Sequence, residues 1–134
     1  DRTMNQPVAK RRWEMSRASA TTALLVGYYV MGVAAALCFK EGSTNPSRRL
    51  FYFITGNVFG ITATALLMGV YARMNANLAL VVAASGSFVL IQLVFWLAYH
   101  SPLTCLQWLG ILVVAVGTAM ACRPGSEAAQ EEAR

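Results

Sequence analysis

Few side chains in this sequence can recognise or transform another molecule. Tyr28, Tyr29, Asn57, Ser85 and Gln92 are hydrogen-bonding groups set inside long apolar runs. An amide or phenol surrounded by hydrocarbon needs a hydrogen-bond partner, because leaving it bare carries a large desolvation penalty. That partner is either a neighbouring helix or a bound molecule. Asn57 therefore reads as an interhelical clamp or as a substrate-binding amide. Gln92 reads as the strongest single candidate for contact with a ligand, or as a satisfied core hydrogen bond. Ser85, Gln92 and Tyr99 recur at seven-residue steps and form a polar seam. At least one of Tyr28 and Tyr29 should turn inward, where its hydroxyl finds an acceptor. His100 stands at the end of an apolar run and reads as an interfacial residue rather than a proton carrier.

Covalent chemistry is not indicated. The sequence offers no nucleophile–base constellation, no clustered metal ligands, no phosphate-binding loop and no histidine pair to hold a heme. Cys38, Cys105 and Cys122 form no CxxC pair and read as small buried hydrophobes. The expectation is a protein that is not an enzyme, with no cofactor and no metal. The net charge of +5 comes mostly from tails and loops. It reads as topology signal and headgroup contact, with no nucleic-acid partner.

The elements that must position these groups are apolar helices. Hydrophobic residues make up 57% of the chain and charged residues 13%, against about 25% charged in an ordinary soluble domain. No acidic residue lies between Glu41 and Glu127, and Arg73 is the only formal charge between Arg49 and Arg123. Lipid is the solvent that such a composition requires. Four uncharged runs, residues 18–39, 50–71, 77–99 and 103–122, each reach the ~20 residues that cross about 30 Å of hydrocarbon. The fold class is thus all-α, an integral membrane four-helix bundle. The last two runs form a hairpin broken at His100-Ser101-Pro102. Ser101 and Pro102 fit the cap and first turn of the fourth helix. Asn75 or Asn77 fits the cap of the third, and Ser47 can cap the second.

Residues 1–17 read as a basic N-terminal tail, with a short interfacial helix around Trp13 and Met15. Residues 123–134 read as a disordered C-terminal tail. A cleaved signal peptide is a rival reading of the first run, but that run exceeds the usual 7–15 apolar residues. Counting the tail, the positive-inside rule places both termini in the cytoplasm; without it the count is three against three, which suits insertion in both orientations.

Helices in lipid associate through small residues and hydrogen bonds. Asn57, Gly60 and Thr64 share a face of the second span, expected to look inward. Ser85, Gly86 and Ser87 centre a run of five small residues in the third, either a close-packing notch or a bend. Gly110 and Gly117 share a face of the fourth, an interface within the chain or between chains.

Three stretches carry a family resemblance: Lys40-Glu41-Gly42 after the first span, Ser85-Gly86 in the third, and Gly110 to Gly117 in the fourth. In this order and spacing the chain resembles the small multidrug resistance family of the drug/metabolite transporter superfamily. The resemblance implies four helices in a dimer, often antiparallel, with helices one to three lining a substrate chamber and the fourth making the dimer contact. This sequence departs from the pattern at one important place. The family's transporters carry a glutamate in the first helix, and the corresponding position falls near Val30 or Met31. The third-helix aromatic position falls near Ala84. A buried cation needs a counter-charge, so proton-coupled export of cationic drugs does not carry over.

The resulting expectation is a transporter-like homodimer in the cell inner (plasma) membrane. It would move a neutral or amphiphilic small molecule or lipid-linked group, held by Tyr28, Tyr29, Asn57, Ser85 and Gln92. The alternative is a non-catalytic structural subunit of a larger membrane assembly.

Overall fold

The computed structural model describes residues 6–100 and 102–122, with side chains from residue 18 onward. The described residues form four α-helices, α1 (Gln6–Thr44), α2 (Arg49–Tyr71), α3 (Ala76–Tyr99) and α4 (Cys105–Ala121), and one short 3-10 turn (Pro46–Arg48). No strand occurs among them.

The first helix is longer than its charge-free run. Its backbone begins at Gln6, within the stretch read as a tail, and continues past Lys40 to Thr44. Hydroxyls explain the extension at the far end. Ser43 Oγ donates to Lys40 O at 2.6 Å, Thr44 Oγ1 to Glu41 O at 3.0 Å, and Asn45 N to Glu41 O at 3.1 Å. These bonds satisfy carbonyls that a helix end otherwise leaves open. Pro46 then stops the helix and opens the 3-10 turn. Trp13 and Met15 fall within α1, but their side chains lie outside the described set, as do Ser101 and residues 123–134.

The caps differ in part from expectation. Asn75 caps α3, accepting from Asn77 N at 3.0 Å. Arg48, not Ser47, stands at the cap position of α2 and makes no side-chain capping bond. Helix α4 starts two residues later than its apolar run. Its cap is Thr104, which forms a reciprocal capping box with Gln107: Thr104 N donates to Gln107 Oε1 at 2.8 Å and Gln107 N to Thr104 Oγ1 at 3.4 Å. His100 ends α3 in the left-handed region, with φ 48°, a place more often taken by glycine or asparagine.

The helices alternate in direction. Helix α2 runs back along α1, with Leu24 beside Gly69 and Gly42 beside Tyr52. Helix α3 packs beside α1 in the same direction, with Tyr29 bonded to Val82 and Glu41 to Tyr99. Helix α4 returns against α3, with Trp108 beside Trp96. The interior is made of small residues. Gly56, Ala63 and Val70 are the buried residues of α2, at seven-residue steps, and Ala35 and Gly42 are buried on α1 at the same spacing. This is the repeat by which two helices stay in register along a seam. Ala79 and Ala83 are the buried residues of α3, and Val70 is the largest side chain wholly buried among the described residues.

The exterior is the reverse. Leu50, Ile61, Leu97 and Leu106 are all at least 70% exposed, and no polar residue is buried among the described residues. Contiguous apolar surface of this kind is sustained by lipid, not water. Three segments, Ala18–Thr44, Pro46–Tyr71 and Ala76–Tyr99, are long and apolar enough to cross a membrane. Helix α4, with 17 residues, rises about 26 Å, slightly less than the hydrocarbon core.

Candidate functional site

The tyrosine pair is positioned by the contact between α1 and α3. Tyr29 Oη donates to Val82 O at 2.8 Å. Its ring lies across Gly86, so that a Cβ added there would stand 2.6 Å from Tyr29 Cζ and 2.9 Å from Cε1. Tyr28 Oη and Ser87 Oγ share a hydrogen bond at 3.2 Å, and Ser87 Oγ also reaches Ala83 O. The small residues of α3 therefore form a notch into which two phenols from α1 fit. The α-helix is continuous through Ser85, Gly86 and Ser87. Ser85 Oγ donates to Val81 O of its own helix.

The polar seam of α3 continues to the far end of the bundle. Tyr99 Oη donates to Glu41 Oε1 at 2.8 Å, and Lys40 Nζ sits 5.9 Å from the centre of the Tyr99 ring. Glu41 is the only carboxylate among the described side chains. Its tie to Tyr99 joins α1 to the last turn of α3. The sequence carried a signal for this pairing: a lone acid at the end of one run and a tyrosine at the same end of another. Between these two contacts lies Gln92, half-buried and making no side-chain hydrogen bond among the described residues.

Asn57 does not look inward. It is exposed on the outer face of α2 with Thr64, whereas the buried face carries Gly56, Ala63 and Val70. Two effects set this rotation. The smoothest face of α2 gives the closest approach to α1. Asn57 meanwhile satisfies one donor within its own helix, Nδ2 donating to Phe53 O at 2.7 Å. Thr64 Oγ1 does likewise to Gly60 O at 3.0 Å. Asn57 also lines an open groove of about 510 Å³ together with Phe39, Gly60, Ile61, Thr64, Ala65 and Met68.

The structure thus brings Tyr28 and Tyr29 together with the Ser85–Ser87 stretch, sets Gln92 further along α3, and leaves Asn57 apart on α2. Gly110 and Gly117 lie exposed on α4, with nothing within 4 Å of an added Cβ. The cysteines are free; Cys38 is half-buried, while Cys105 and Cys122 are exposed rather than buried. No group of three or more metal-ligating side chains occurs among the described residues.

Four apolar helices, a small-residue interior and a lipid-facing exterior define an integral membrane protein with a four-helix bundle fold. Compared with known proteins, the chain matches no family model, no curated protein and no solved structure.

Proposed function

We propose that this is a transporter-like membrane protein, not an enzyme, that works as a homodimer in the plasma (inner) membrane. It would move a neutral or amphiphilic small molecule or a lipid-linked group. The observation that carries this reading is the open α2 groove. Exposed Asn57 lines it with only one of its amide groups bonded within the helix, beside a space a second molecule can fill. The bare glycine face of α4 gives a second copy a surface for close approach. The resemblance to the small multidrug resistance family agrees with a dimer. The only described carboxylate lies at the end of α1, bonded to Tyr99, so a mid-membrane acid is not part of the proposed mechanism.

The test is translocation in vesicles of a fluorescently tagged amphiphile, read by quenching the outer leaflet from outside. Asn57→Ala and Gln92→Ala should each slow translocation at least tenfold while leaving the helical content unchanged; unchanged flux in both rejects the sites. A second reading, a structural subunit of a larger assembly, is favoured by the weak attachment of α4, which packs chiefly on α3. Purification in mild detergent separates the two: a stable homodimer supports transport, and a fixed complex with other chains supports the subunit.

A further inference from the structure

We propose that the outer face of α2 binds an anionic phospholipid, with its phosphate on Arg49 and an acyl chain running down the helix toward Gly60. The inference treats the α2 groove as a ligand surface, as the proposed function does, but it concerns binding and not transport.

The placement follows from one stripe of residues. Arg49, Phe53, Asn57, Gly60, Thr64 and Met68 succeed one another at steps of three or four, so they share one face of α2. At the top of this stripe is a pocket of about 160 Å³ lined by Phe39, Gly42, Ser43, Arg49 and Phe53. Below it is the larger groove, and Phe39 lines both. The two spaces are therefore neighbours along a single path from the end of α2 toward its middle. Arg49 to Gly60 is a rise of about 16 Å, close to the depth of one leaflet's hydrocarbon. Phe39 and Phe53 wall the path near its top, with ring centroids 6.5 Å apart. At Gly60 nothing lies within 4 Å of an added Cβ, so the surface there is open to a chain.

Charge selects the head group. The Arg49 side chain makes no hydrogen bond or ion pair among the described residues; its backbone N–H donates to Pro46 O. The one described carboxylate, Glu41, is bonded by Tyr99 and Asn45. Ser43 Oγ donates to Lys40 O, so recognition falls to the guanidinium, whose forked donors match phosphate oxygens. Arg49 is the first residue of α2 and stands where the apolar run begins, which is the level of lipid phosphates. An apolar slot beneath an unneutralised cation at that depth is complementary to a lipid with a negative head. It has no such match to a zwitterionic one, whose own ammonium neutralises the phosphate.

The experiment is native mass spectrometry of the purified full chain in mild detergent, titrated with dioleoyl phosphatidylglycerol or dioleoyl phosphatidylcholine. The wild type should retain phosphatidylglycerol roughly fivefold better, the scale set by one cation at a membrane surface. Arg49→Gln should abolish that preference. Arg48→Gln removes the same charge beside the pocket without lining it, and should keep it. Gly60→Leu fills open space and should weaken retention of both lipids without unfolding the chain. Millimolar inorganic phosphate should not displace the lipid. Equal retention of the two lipids by the wild type, a preference that survives Arg49→Gln, or displacement by phosphate alone overturns the proposal. Lipid retention without translocation in vesicles would reject the transport reading and leave this one standing.

Discussion

The contact between Tyr29 and Gly86 makes the sharpest prediction. Substituting Gly86→Ala places a methyl group 2.6 Å from Tyr29 Cζ. Carbon atoms in contact sit about 3.5–4.0 Å apart, so the ring must retreat by roughly 1 Å. That retreat stretches the 2.8 Å bond from Tyr29 Oη to Val82 O beyond hydrogen-bonding distance. Two losses follow: overpacking of about 1–3 kcal/mol and a hydrogen bond of about 0.6 kcal/mol, the average for one between membrane helices. Against them stands the intrinsic gain from replacing glycine in a helix, about 0.5–1 kcal/mol. Gly86→Ala should therefore destabilise the fold by about 1–3 kcal/mol. In a Tyr29→Ala background there is no ring to displace, and the same change should be neutral or stabilising by up to about 1 kcal/mol. The coupling between the two sites is then about 2–4 kcal/mol, the sum of the overpacking and hydrogen-bond terms. Reversible unfolding in mixed detergent micelles, followed by circular dichroism, measures all four corners of the cycle. An equal effect of Gly86→Ala in both backgrounds, or none in the wild type, would refute the notch.

Other substitutions probe the remaining contacts. Gly42→Ala sets its methyl 2.9 Å from Tyr52 Cβ, an atom no rotamer change can move, and should cost about 1–3 kcal/mol in the same unfolding assay. Gly110→Leu and Gly117→Leu enter open space; they should leave the stability of the single chain unchanged and weaken the proposed dimer, as read by sedimentation in detergent. Thr104→Ala removes half of the capping box and should cost about 1 kcal/mol. His100→Gly relieves a left-handed residue and should stabilise by about 1 kcal/mol, visible as a higher unfolding midpoint.

Much of the architecture was legible because charge is so sparse here. Residues 50–71 and 77–99 stand between polar turns, and α2 and α3 follow them to within a residue. A cap at Asn75 or Asn77 was legible because a short polar side chain before an apolar run has few other uses, and the structure takes Asn75. Tyr29 needed an acceptor and has one. The misses share a cause: they depend on bonds that composition does not rank. The end of α1 was missed because Ser43 and Thr44, which look like loop residues, bond back onto the helix. The start of α4 was missed because Ser101 and Thr104 are both acceptable caps by type, and only Thr104 has Gln107 three residues ahead. The rotation of α2 was missed because the sequence ranks Asn57 as a group in need of partners from other helices, while the helix itself supplies an acceptor at Phe53 O. The pairing of Glu41 with Tyr99 spans 58 positions and becomes visible only once α1 and α3 are known to run side by side.

The small-residue interior has a consequence for how this chain tolerates change. In most proteins the dangerous substitution removes volume from a packed centre, and enlargement is the rarer injury. Here the centre holds little volume to remove, since Val70 is the largest side chain wholly enclosed among the described residues. Alanine and glycine also have no rotamers to immobilise, so associating these helices forfeits little side-chain entropy. Truncating mutations scattered along the seams should pass almost unnoticed, while single added methyl groups at Gly42 or Gly86 should be felt across two helices. Such a chain drifts freely on its lipid-facing exterior and is held fast by the emptiness of its seams.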